Sequence, residues 1–278
     1  MRTEIDLTAS AESYPLVSCL CLTENRVHYL KRAIHCFMQQ TYPNKELVLV
    51  CRATDQATLA YIDTLPAHLV RVKVLPANHG LKLGAIRNAS IDAAQGTYIC
   101  QWDDDDWYHN ERIMLQYQAV KNSHQPATML TNIVIYDIDN QQAYFSNFRL
   151  WENTLFAEKA ALEDVRYQAG LQRHEDHEMM NDLLLQSQIV PTVSTYHYVY
   201  VVHGNNVSGQ DHFTFLFGNS QPLPQFIADA VQQALDQGQP YEALCNLLNT
   251  PKYKAPLNYF YMRRQLVTEE REAALEAN

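Results

Sequence analysis

From Tyr14 to Trp102 the sequence alternates short apolar runs with stretches of helical spacing, and this alternation restricts the chain to few folds. The runs at 16–22, 47–51, 70–75 and 98–102 are bounded by polar residues, and several are rich in β-branched side chains, so they read as buried strands. Between them, 27–40, 55–65 and 81–95 carry apolar residues three and four apart, the spacing of one helix face. Strands alternating with helices imply right-handed crossovers and a mostly parallel sheet, an α/β class.

Beyond Trp102 the pattern is less regular. Residues 110–121 read as a helix, 128–138 as one strand, 143–150 as a second able to pair with it, and 175–186 as a helix. The Tyr- and Val-rich segment 196–202 reads as a strand and 203–219 as a loop, after which 224–237, 241–248 and 257–277 have helical spacing. A length of 278 residues is one large domain or two small ones, and 47% hydrophobic with 19% charged residues is the mixture of a folded protein.

Charge and cysteine usage narrow the partners and the compartment. The net charge of −10 argues against sequence-independent binding to nucleic acid, which needs a basic surface. The charge-free stretch 14–23 is about half the ~20 residues needed to span a bilayer, and it contains Pro15, so no transmembrane segment is expected. Residues 1–13 lack the apolar segment of a signal peptide. The six cysteines show no framework spacing and lie mostly in apolar runs, so they read as reduced core thiols in a cytoplasmic protein.

The strand 98–102 runs directly into Asp103, Asp104, Asp105 and Asp106, with Trp102 and Trp107 on either side. Open α/β sheets place ligands at the carboxyl ends of their strands. Four adjacent carboxylates repel one another and favour a cation, and an all-oxygen set suits Mg²⁺ or Mn²⁺, which take phosphates as further ligands. The alternative is a solvated turn whose aspartates cap the helix at 110–121. Gly80-Leu81-Lys82-Leu83-Gly84 opens another helix, whose free N–H groups could meet phosphate with Lys82 and Arg87 adding positive charge, or which could be a plain loop.

These blocks, in this order, resemble the family 2 glycosyltransferases of the GT-A fold. Val17-Ser18-Cys19-Leu20-Cys21-Leu22-Thr23-Glu24-Asn25-Arg26 is similar to the opening strand and nucleotide loop of that family. The segment 37–50 is similar to its next helix, turn and strand. Asn78-His79-Gly80, 84–89 and 94–99 are similar to the approach to its D-x-D motif. The likeness extends over about residues 14–213, so the expected organisation is a flexible N terminus 1–13, a GT-A domain 14–219 and a helical C-terminal extension 220–278.

The resemblance implies inverting, metal-dependent transfer of a sugar from a nucleoside diphosphate sugar, a UDP-sugar being the expected donor, to a hydroxyl acceptor. It implies nucleotide contacts at Thr23, Glu24, Arg26, Asp55, Lys82, Arg87, Asp103 and Asp104, with Asp103 near the ribose. Asp105 or Asp106 would hold Mn²⁺ or Mg²⁺, joined by His203 of His203-Gly204-Asn205-Asn206. Glu175-Asp176 resembles the E-D motif, with Asp176 as the base that deprotonates the acceptor and Glu175 as its neighbour at the substrate. Trp151 is a candidate wall for the sugar or a core residue. Cys51 departs from the family pattern, which has an acidic residue there facing the base, and so puts uracil recognition in question.

Three other readings use the same residues. A zinc hydrolase would gather His174, His177 and His203. A nucleotidyltransferase would release pyrophosphate, and a degenerate glycosyltransferase fold would serve as a scaffold. Tyr259-Phe260-Tyr261-Met262-Arg263-Arg264 mixes aromatic and basic residues, which allows a peripheral contact with the inner face of a membrane or, more simply, a helix packed on the domain.

Overall fold

Alternation along β1 (Val17–Leu22) and β2 (Lys45–Arg52) sorts their side chains into two cores. Cys19, Cys21, Leu47, Leu49 and Cys51 join one cluster, and Leu20 and Val48 join the other. Both strands are thus covered on both faces, as parallel sheets require.

The computed structural model describes residues 14–186 and 188–236. The expected N-terminal segment 1–13, Cys245, the helices at 241–248 and 257–277, and the aromatic and basic run 259–264 lie outside the described residues. In chain order the other elements are α1 (Val27–Met38), α2 (Gln56–Ile62), β3 (Val70–Leu75), α3 (Leu83–Ala93), β4 (Tyr98–Gln101), β5 (Trp107–Tyr108) and α4 (Arg112–Ser123). They continue as β6 (Ala127–Leu130), β7 (Val134–Asp137), β8 (Gln142–Phe145), β9 (Phe156–Glu158), α5 (His177–Leu185), β10 (Ile189–Thr192), β11 (Tyr198–Val202), α6 (Gln210–Gly218), β12 (Gln221–Pro222) and α7 (Gln225–Leu235).

Among the described residues the main sheet has seven strands in the order β10-β6-β9-β4-β1-β2-β3. All neighbouring pairs are parallel except those made by β9, which runs antiparallel to both β4 and β6. The expected α/β class with a mostly parallel sheet is the observed one. A second sheet, β12-β8-β7-β11-β5, packs its aromatic side chains into the core on the α1 and α4 side. Helices α3 and α5 cover the opposite face, where Ile91, Met179 and Leu183 meet Leu20 and Val48.

Two expectations are corrected. The single strand expected over 128–138 is two strands in different sheets, because the chain crosses over at Thr131-Asn132-Ile133. There Ile133 N–H donates to Ser146 Oγ at 3.0 Å and Asn132 Nδ2 to the Ser146 carbonyl at 3.1 Å, so the crossover is buried and satisfied. The loop expected over 203–219 contains α6.

No break in packing marks the expected boundary at 219/220. Strand β12 pairs with β8, and Ile227, Ala228 and Val231 of α7 belong to the main core. No described helix is long and apolar enough to cross a membrane. Cys19, Cys21, Cys36, Cys51 and Cys100 are buried free thiols.

Candidate active site

The loop from β4 to β5 carries the four aspartates, and aromatic packing fixes both its ends. Trp102 and Trp107 are buried, Trp102 stacks on Tyr108 with ring centroids 3.9 Å apart, and its indole N–H donates to the Ala33 carbonyl at 3.1 Å. Arg112, wholly buried, lies against the rings of Trp102, Tyr108 and Tyr198 and donates to the Gln101 carbonyl at 2.9 Å. The aspartates do not cap α4, whose first turn has no side-chain capping bond.

From this fixed loop the carboxylates diverge. Asp103 Oδ1 accepts from Gln101 Nε2 at 3.0 Å and lies 3.5 Å from Arg87 Nη1. Asp104 meets Arg26 Nη2 at 2.7 Å, with Thr23 beside it. Asp105 Oδ2 meets Arg26 Nη1 at 2.9 Å and His203 Nε2 at 3.2 Å. Asp106 points into the core, where it accepts hydrogen bonds from the Tyr198 hydroxyl and, at 2.8 Å, from Val201 N–H. Asp106 therefore does not line the cleft, and of the two alternatives only Asp105 is presented to it.

The same burial acts differently on each. Burial and the adjacent Asp105 charge push Asp104 up to about 8. Burial also opposes ionisation of Asp105, but His203 and Arg26 outweigh it and hold that carboxyl below its ordinary range. Asp106 is pushed up by burial and by the charges of Asp105 and Asp103.

The second acidic motif enters from the opposite wall. His174 adopts a left-handed backbone, φ 60°, and turns the chain just before α5 so that Glu175 is buried and Asp176 is the N-terminal cap residue. Asp176 makes no side-chain capping bond, so its carboxylate is not committed to the helix end. Glu175 Oε1 accepts from Arg87 Nε at 3.0 Å. Arg87 thus reaches both Asp103 and Glu175, and the two acidic motifs share one cleft of about 650 Å³.

Several residues expected at the nucleotide stand elsewhere. Glu24 pairs with Arg52 at 3.1 Å on the surface. Asp55 caps α2 through Thr58 N–H and accepts Asn25 N–H at 2.6 Å, so it ties the β1–α1 loop to the end of β2 and does not line the cleft. Lys82 is exposed at the start of α3 and outside the cleft lining. The expected phosphate cradle there is closed: Leu83 N–H donates to Gln172 Oε1 at 3.2 Å and Gly84 N–H to the Leu171 carbonyl at 3.1 Å. A Cβ at Gly84 would lie 2.1 Å from the Gln168 carbonyl oxygen, which explains the glycine by close approach of this loop.

Cys51 is buried, and burial pushes its thiol up to about 11, so it brings no charge to a base. The Arg149 guanidinium lies 4.0 Å over the Trp151 ring, so that face of Trp151 is taken. His174, His177 and His203 do not gather around a common point; among the described residues the group within one ion's reach is His109, Glu111 and His197. The cleft is further lined by Asn206 of the His203-Gly204-Asn205-Asn206 segment and by Gln101, Arg149, Tyr167, Asp211 and His212, which no motif marks. Of those five, only Gln101, beside Trp102 in the apolar run expected over 98–102, carried a positional signal.

Asp105 and His203 fit a divalent cation. Their facing atoms are 3.2 Å apart, close to the roughly 3 Å between adjacent ligands of an octahedral ion with bonds of about 2.1 Å. Arg26 supplies positive charge at that point, 2.9 Å from Asp105 Oδ2.

The family model for Glycosyl transferase family 2 matches residues 18–171, more than half of the chain. An uncharacterized glycosyltransferase of Haemophilus influenzae is 29% identical over 130 residues, 46% of this chain and 51% of that protein. The glycosyltransferase GlyG of Streptococcus pneumoniae is 26% identical over 155 residues, 56% of this chain and 50% of that protein. The chain thus spans about half the length of these relatives. The crystal structure of S. aureus TarS 1-349 in complex with UDP-GlcNAc is similar with a TM-score of 0.57 at 16% identity, over 68% of this chain and 59% of that one. That likeness is one of fold, and the fold is GT-A. The chain belongs to glycosyl transferase family 2.

Proposed function

We propose that this chain is an inverting glycosyltransferase that moves a sugar from a nucleoside diphosphate sugar to an acceptor hydroxyl. The observation that carries the reading is the meeting of Asp103, Asp104 and Asp105 with Glu175 and Asp176 in one cleft, bridged by Arg87. Family membership supports the reaction class, and the UDP-GlcNAc held by TarS supports a UDP-sugar donor.

Asp176 accepts the proton of the acceptor hydroxyl as its oxygen attacks the anomeric carbon. Its lack of a capping bond supports that role over a purely structural one. Glu175, buried and tied to Arg87, contacts the donor or acceptor and keeps the start of α5 at the height of Asp103. Asp105 and His203 would hold Mg²⁺ or Mn²⁺, which supplies charge stabilisation to the departing diphosphate. Arg26, paired with Asp105 at 2.9 Å, would supply positive charge to the diphosphate beside that ion. The buried free thiols support a cytoplasmic location.

The test is a thermal-shift screen of nucleoside diphosphate sugars with and without Mn²⁺, followed by product analysis. Release of nucleoside diphosphate supports the reading. Release of pyrophosphate would instead favour a nucleotidyltransferase, and no response to any donor would favour a scaffold.

A further inference from the structure

A second cluster of metal-binding side chains lies outside the cleft. His109 follows β5 and His197 precedes β11, and these antiparallel strands pair Tyr108 with Tyr198. The pairing sets the two histidines side by side: His109 N–H donates to the His197 carbonyl at 3.2 Å, and the ring centroids are 4.7 Å apart. Glu111, at the start of α4, reaches both rings. Its Oε2 is 3.8 Å from His109 Nδ1 and 3.9 Å from His197 Nε2. Ligand atoms of all three lie within 4.8 Å of one another.

We propose that His109, Glu111 and His197 form a site for a divalent transition metal of the Zn²⁺ class, separate from the cleft. Two imidazoles and one carboxylate are a zinc ligand set, whereas Mg²⁺ favours a shell dominated by oxygen. Ligands around tetrahedral zinc stand about 3.4 Å apart for bonds of about 2.0–2.1 Å, so the two spacings to Glu111 need an inward shift of roughly half an ångström and the two histidine nitrogens one of up to about 1.4 Å.

Supporting contacts aim the rings. The Ser194 hydroxyl is hydrogen-bonded to His197 Nδ1. With the proton on Nδ1 donated to that hydroxyl, Nε2 presents its lone pair towards Glu111, the arrangement by which outer hydrogen bonds orient metal-binding histidines. Glu111 N–H points at His109 Nδ1 at 3.2 Å, which marks that nitrogen as a lone-pair donor whose amide partner the ion would replace. Gln40 Nε2 anchors the His109 carbonyl at 2.7 Å. Both histidines are buried while the Glu111 side chain is 44% exposed, so an ion enters from the Glu111 side and keeps a water there. Bound metal would clip β5, β11 and α4 together, directly behind the strand end that carries the acidic loop.

The experiment is a Co²⁺ titration of the untagged, chelator-treated chain, read by the visible absorption of tetrahedral Co²⁺ and by thermal midpoint, on wild type, Glu111→Gln, His197→Ala and Asp105→Asn. Glu111→Gln alters an exposed group and keeps the fold measurable if His197→Ala does not. The expected result is one tetrahedral Co²⁺ in wild type and in Asp105→Asn, with affinity at least about tenfold weaker in Glu111→Gln. Zn²⁺ should compete the Co²⁺ out and raise the midpoint, and excess Mg²⁺ should do neither. Absence of the tetrahedral band from wild type, its survival unchanged in Glu111→Gln, or its loss in Asp105→Asn would overturn the proposal. Because Asp105→Asn removes the cleft ligand, failure here is distinguishable from failure of the catalytic reading.

Discussion

One guanidinium, that of Arg26, holds both Asp104 and Asp105, at 2.7 and 2.9 Å. Asp104 is nearly inaccessible and is pushed up to about 8, so at neutral pH Arg26 pairs as charge with charge chiefly at Asp105. A cation held between Asp105 and His203 would compete with Arg26 for Asp105 Oδ2, and Arg26 is one residue from α1 in the loop expected to hold nucleotide.

Arg26→Ala should therefore destabilise the metal-free protein by about 1–3 kcal/mol, because the Asp105 carboxylate loses a charged hydrogen-bond partner while Asp104 can take up a proton instead. Added Mn²⁺ should recover part of that loss, and should bind the variant more tightly than it binds wild type. Urea unfolding with and without Mn²⁺ measures both effects.

For Asp176→Asn the expected outcome is loss of transfer by about 10²- to 10⁴-fold, with donor binding retained. The carboxylate makes no capping bond, so stability should change by no more than about 0.5 kcal/mol. Turnover and donor titration calorimetry on the same sample separate the two roles.

Arg87 spans Asp103 and Glu175, and a lysine cannot present two arms in that geometry. Arg87→Lys should keep the charge, retain most of the stability and lower kcat by at least about tenfold, because Glu175 and the start of α5 lose their register to Asp103. Steady-state kinetics in saturating donor is the check.

Asp55 gives a pH-dependent prediction. Burial raises its pKa, but hydrogen bonds from Thr58 and from Asn25 N–H outweigh this and hold it below the ordinary carboxyl range. A depressed folded-state pKa stabilises the protein above the unfolded value of about 4, and that contribution fades as pH falls through the folded value. Asp55→Ala should cost about 1–2 kcal/mol at neutral pH, and the gap to wild type should narrow at pH values below about 4. Paired urea midpoints across that range read it directly.

Residues 14–102 were legible because their strands and helices are long enough to show a period, and the fixed crossover hand leaves little choice of topology. The sheet change at Thr131-Asn132-Ile133 was not, because an apolar run crossing between sheets has the same pattern as one strand. Asp106 looked equal to Asp105 in a run of four; only the pairing with Tyr198 and Val201, far along the chain, turns it inward. The amides of α3 looked open to phosphate until Leu171 and Gln172 took them. His109 and His197 meet through a two-residue strand, too short to leave a sequence signal.

If Asp105 assembles a cation-dependent donor site in the cleft that also holds Asp176, donor binding should follow both the carboxylate and the ion. Calorimetric titration of UDP and UDP-sugars into wild type and Asp105→Asn, each with and without Mn²⁺, tests it most directly. Binding to wild type should require Mn²⁺ and should be lost in Asp105→Asn. Binding that is indifferent to both Mn²⁺ and the substitution would contradict it.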